Sequence, residues 1–106
     1  MKISGVWAEL AAVRYLRSRG VRVIRVRYRA RGGEIDLIAR DGPVTALIEV
    51  KSAKRLFDGA ARVDGVKQER IRKAARQWAL ETGETNLRFD ILEKSDAGFR
   101  YIRGAF

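Results

Sequence analysis

Between residues 4 and about 19, Val6, Leu10, Val13 and Leu16 recur at the spacing that stacks side chains along one side of a helix. Ser4 is placed to cap its start and Gly20 to stop it. At about 100° per residue Glu9 falls among those apolar positions, between the directions of Val13 and Leu16, so a carboxylate is expected on the inward side. The period then shortens. "VRVIRVRYRARGG" (21–33) alternates as a strand, with Ile24, Val26 and Tyr28 on one side and Arg25, Arg27, Arg29 and Arg31 on the other. A slip of phase at Val23–Ile24 predicts a bulge or bend. Residues 34–40 and 44–51 read as two more strands, and the turn chemistry of "DGP" between them makes a hairpin.

Residues 52–65 show no sustained period and read as a loop. From about 66 to 80 a second helix carries Ile71, Ala74, Ala75 and Trp78 on one side and Arg70, Arg72, Lys73 and Arg76 around the rest. Lys67 shares the apolar side, one turn before Ile71, and is out of place there. "NLRFDILEK" (86–94) alternates again, with Leu87, Phe89 and Ile91 to one side, and "GFRYIRGAF" supplies a short last strand. The order αβββαββ predicts an α/β fold, a mixed central β-sheet flanked by two helices. With 106 residues it should form a single domain spanning 1–106.

Charge adds a partner to this picture. There are 23 Lys and Arg against 13 Asp and Glu, a formal net charge of +10, so the molecule should attract a polyanion, and nucleic acid is the expected one. Glu9 and Arg14 interrupt the first apolar run too early for a signal peptide or a membrane span, so a cytoplasmic protein without a membrane partner is expected. The chain has no His and no Cys, which removes Ser-His-Asp and Cys-His catalysis, zinc fingers and disulfides. A bound metal would have to take oxygen ligands, which favours Mg²⁺, Mn²⁺ or Ca²⁺.

Against this basic background, acids stand in strand positions. Glu34 and Asp36 alternate onto one face, and so do Glu49 and Lys51. A hairpin that pairs Arg40 with Thr45 sets Asp36 opposite Glu49. At about 5 Å and an effective dielectric of about 20, two such charges repel by roughly 3 kcal/mol. Something must neutralise them: a divalent cation, a shared proton, or an ion pair with Lys51.

An acid in the second strand, then Glu-x-Lys in the third, after a glutamate on the first helix, resembles the PD-(D/E)XK nuclease superfamily, the restriction-endonuclease-like fold. Within it the chain is most similar to the YraN-like family of small predicted endonucleases. The resemblance rests on Gly5, Glu9, Ala11, Ala12, Tyr15, Leu16 and Gly20; on "GEIDLI" (33–38) and "IEVK" (48–51); on Lys67, Ile71 and Ala74; and on "RFD" (88–90). It implies a metal-dependent DNA endonuclease using Mg²⁺ or Mn²⁺. Asp36 and Glu49 would bind the metal, Glu9 would support it, and Lys51 would position water or stabilise charge on the phosphate.

Phosphate contacts are expected from Arg25, Arg27 and Arg29, from Lys54 and Arg55, and from Lys67 and Gln68 at the start of the second helix. The asparagine common before "GEIDLI" in the family corresponds to Arg27. Glu34 is expected to answer a nearby arginine, Arg88 and Asp90 to form a structural ion pair, and Trp7 and Trp78 to lie in the core. Similarity to Holliday-junction resolvases makes a branched substrate and a homodimer reasonable. The rival reading is a nucleic-acid-binding protein that keeps the fold without catalysis.

Overall fold

Helix α1 (Ile3–Ser18) ends where a glycine lets the chain turn back. Gly20 takes φ of 80°, its N–H donates to the Arg17 carbonyl at 3.0 Å, and the Val21 N–H donates to the Leu16 carbonyl at 2.9 Å. This is the Schellman closure, and Leu16 and Val21, both fully buried, make its apolar contact. Strands β1 (Arg22–Ala30), β2 (Gly33–Asp41) and β3 (Val44–Ser52) follow. They are antiparallel neighbours, and the second turn puts Gly42 at φ of 59°, the requirement of a tight two-residue hairpin. The computed structural model describes the backbone of residues 3–52 and 63–106 and the side chains of residues 10–52 and 63–106.

Helix α2 (Gly65–Thr82) is the crossover that allows β4 (Leu87–Ser95) to run parallel to β3, and β5 (Gly98–Ile102) returns antiparallel on the far edge. Asp64 caps α2 by accepting from the Lys67 N–H at 2.9 Å, and Gly83, at φ of 77°, ends it. The result is one mixed sheet in the order β1-β2-β3-β4-β5, in the element order αβββαββ that the periodicities predict.

Each face of the sheet has its own core. Ile35, Ile38, Leu47 and Ile91 pack with Ile71, Ala74, Ala75 and Trp78 of α2. Leu37, Ala39, Ala46, Ile48 and Leu92 pack with Ala12 and Leu16 of α1. Three expectations need correction. Helix α1 begins at Ile3, so Ser4 lies inside it and does not cap it. Leu10 is 44% exposed, because Ala12 and Leu16 turn the buried stripe away from it.

The third concerns β1, where Ile24 and Val26 are exposed and only Tyr28 is buried. The bulge expected near Val23–Ile24 is present as a register shift between Val23 and Arg25. A second irregularity follows at Arg27, whose φ is 50°. The pairs Arg25–Ile38 and Tyr28–Ile35 both face α2 although three residues separate them on each strand, so the alternation skips one position there. Asp36 lies within that skip.

Candidate active site

The hairpin does pair Arg40 with Thr45, and regular pairing runs down to Leu37–Ile48. One step further, where β2 is irregular, the side chain of Asp36 takes over from the backbone: its Oδ2 accepts the Val50 N–H at 2.8 Å. An acid that replaces a main-chain acceptor is fixed against β3, beside Glu49. Glu49 itself is 5% exposed. Burial, and next the charge of Asp36, push its carboxyl above the usual carboxylate range, and the Lys67 ammonium opposes both without cancelling them.

The cation of this pair comes from α2. Lys67 Nζ stands 3.1 Å from Glu49 Oε1, an ion pair that raises the lysine above its ordinary value. This accounts for a lysine on the apolar side of α2 one turn before buried Ile71. Lys67 thus adds a neutralising charge to the three that the sequence suggests, a divalent cation, a shared proton or Lys51.

Lys51 follows two residues after Glu49 on the same face of β3, and in the parallel register its partner is Glu93 of β4. Glu93 is 1% exposed. Sequence reasoning left it out, although the alternation through Leu87, Phe89 and Ile91 sets it on the side that faces α2. These residues occupy the carboxyl ends of the parallel strands β3 and β4. Among the described residues no three carboxylates converge to form a ready-made metal cage.

The basic residues border this end unevenly. Arg29, Ala30, Gly32, Gly33, Glu34 and Arg70 line a concavity of about 490 Å³. Asp64, Gly65, Val66, Lys67 and Arg70 line another of about 610 Å³. Arg70, common to both, is the second residue that sequence reasoning left among the surface arginines; its signal was the one-turn spacing from Lys67. Gly33 is what brings β2 so near: a Cβ there would stand 1.9 Å from the Arg70 carbonyl oxygen.

Arg29 is exposed and pairs with Glu34, its register partner, at 3.6 Å, as expected for Glu34. Arg25 lies over the Tyr28 ring at 5.3 Å. The Gln68 amide donates to the Val63 carbonyl at 2.8 Å and so braces the entry to α2. Trp78 is core, edge-on to Tyr28, with its N–H donating to Glu84 at 2.8 Å. Arg88 and Asp90 form the expected ion pair at 2.8 Å, joined by Asp41 and Tyr101. The expectations for Trp7, Glu9, Lys54 and Arg55 lie outside the described side chains.

Comparison with known proteins matches residues 8–93 to the model of an uncharacterised protein family, UPF0102. A UPF0102 protein of Klebsiella pneumoniae subsp. pneumoniae is 42% identical over 104 residues, covering 92% of this chain and 81% of the relative. The UPF0102 protein YraN of Salmonella newport is 41% identical, covering 92% of this chain and 79% of the relative.

Proposed function

The chain belongs to the UPF0102 (YraN) family, and we propose that it is a metal-dependent endonuclease that hydrolyses DNA phosphodiester bonds at the Asp36–Glu49–Lys51 end of its sheet. The observation that carries this reading is the acid pair. Asp36 is pinned to β3 by the Val50 N–H, directly beside a buried Glu49, at the price of like-charge repulsion in a low-dielectric place. Paired carboxylates are hard oxygen donors, and Mg²⁺ and Mn²⁺ sites on phosphoryl enzymes use one or two of them, with water and substrate completing the shell. The donor set therefore fits such an ion, and Glu9 would add to it.

When bound, a divalent cation lowers the pKa of an attacking water and draws charge from the phosphoryl group, which a chain without histidine cannot do by imidazole catalysis. Asp36 and Glu49 would hold the cation, with the Val50 N–H keeping Asp36 in orientation. Lys51 would donate hydrogen bonds to the water or to the phosphate oxygens as charge builds on them. Arg29 and Arg70 would attract the backbone on either side. The Mg²⁺ or Mn²⁺ requirement, a branched substrate and a homodimer with two sites belong to the same proposal.

Cleavage of labelled single-stranded, duplex, flapped and four-way-junction DNA, with Mg²⁺, Mn²⁺ or EDTA, tests it. Wild type should cut with either metal and not with EDTA. Asp36→Asn and Lys51→Ala should each lose at least about a hundredfold in rate while still binding DNA. Binding to every substrate with cleavage of none would favour the second reading, a nucleic-acid-binding protein without catalysis, to which the net charge of +10 and the arginines of β1 lend weight.

A further inference from the structure

Lys67 and Glu49 form an unequal ion pair. The Glu49 side chain is 6% exposed and fixed in a central strand; the Lys67 side chain is 44% exposed and sits on the first turn of α2. A lysine's charge rides on a flexible four-carbon stem, so of the two partners only the lysine can leave without disturbing the sheet. Glu49 meanwhile has Asp36 beside it, held against β3 by the Val50 N–H, so its ionised form calls for a cation within reach. A divalent cation shared by Asp36 and Glu49 would bring its charge into the place that the ammonium already serves, and two cations there repel.

We propose that Lys67 is an exchangeable counter-cation of the acid pair: its ammonium neutralises Glu49 until a divalent cation arrives, and it gives up that position when the cation binds. The inference rests on the reading of Asp36 and Glu49 as a divalent-cation site. It makes the lysine a competitor that protects the empty site and sets the cation concentration at which the site fills.

The test is Mn²⁺ binding by isothermal titration calorimetry, without nucleic acid, on wild type and on Lys67→Met, Lys67→Arg and Asp36→Asn. Lys67→Met should bind Mn²⁺ at least about tenfold more tightly than wild type, and Lys67→Arg within about threefold of it. In EDTA the Lys67→Met protein should melt below wild type and gain more from added Mn²⁺. Lys67→Gln offers the same comparison should the methionine variant fold poorly. If removal of the charge leaves Mn²⁺ affinity unchanged or weakens it, while wild type binds and Asp36→Asn does not, Lys67 is no competitor and this inference alone fails. If neither wild type nor Lys67→Met binds Mn²⁺, or Asp36→Asn binds as wild type does, the cation site itself fails, and the inference with it.

Discussion

Arg27 holds its backbone at φ of 50° in the middle of an edge strand, a region that suits glycine and asparagine and costs other L-residues about 1–2 kcal/mol. The conformation lets β1 and β2 skip one position, which is where Asp36 leaves the ladder to take the Val50 N–H. Arg27→Asn and Arg27→Val both remove the guanidinium, and strand propensity favours valine, so an advantage for asparagine reports the positive φ. The asparagine variant should be the more stable by about 1–2 kcal/mol in urea unfolding, and equal stabilities would mean that the position is unstrained. None of this was legible beforehand, since an arginine announces no left-handed turn. The acids were legible, because carboxylates in apolar strands of a basic chain demand a partner. Lys67 was legible as an anomaly, but its pairing with Glu49 joins a helix to a strand and needed the packing of α2 on the sheet.

Among the elements, α2 against β2 decides how closely Lys67 and Arg70 approach the acids. Gly33 permits that approach, because any Cβ there meets the backbone of Arg70 at 1.9 Å and backbone cannot step aside as a side chain would. Gly33→Ala should therefore destabilise by about 2 kcal/mol or more and, by lifting α2, loosen the Lys67–Glu49 pair. Gly65, at the start of the same helix, has open space around its Cβ position, and Gly65→Ala should be neutral or stabilising by about 0.4–1 kcal/mol. A pair of urea titrations in which the two substitutions behave alike would refute the argument. Element order, the β2–β3 register and the stop of α1 at Gly20 followed from turn chemistry and period. The buried stripe of α1 did not: Leu10 and Ala12 differ in size, and it is the packing of Ala12 and Leu16 with Val21 and the strands that sets the small residue inward.

Across the molecule, the two ends of the sheet respond to acid in opposite senses. At the end away from the candidate site, hydrogen bonds from Arg88 and then Arg103 hold Asp41 below its ordinary value of 3.8. Arg40, assisted by Trp78 and Thr45, holds Glu84 below 4.5. A depressed carboxyl contributes stability that is whole above its ordinary value and is lost as pH falls through the folded one. Glu49 is raised by burial and by Asp36, so its contribution is whole below 4.5 and is lost as pH rises through its folded value. Urea unfolding as a function of pH separates the two. Asp41→Asn and Glu84→Gln should each lower stability at neutrality by about 1–3 kcal/mol and flatten the acid limb below 3.8 to 4.5. Glu49→Gln should leave that limb in place and narrow its gap to wild type as the pH falls, because it removes only the loss that wild type suffers on the way to neutrality. Curves for all three variants running parallel to wild type would show that these carboxyls are not what couples the fold to pH. With the expected curves, unfolding by acid begins at the arginine-bound end, while the candidate site, where Glu49 is raised by burial and by Asp36, is relieved by the same protons.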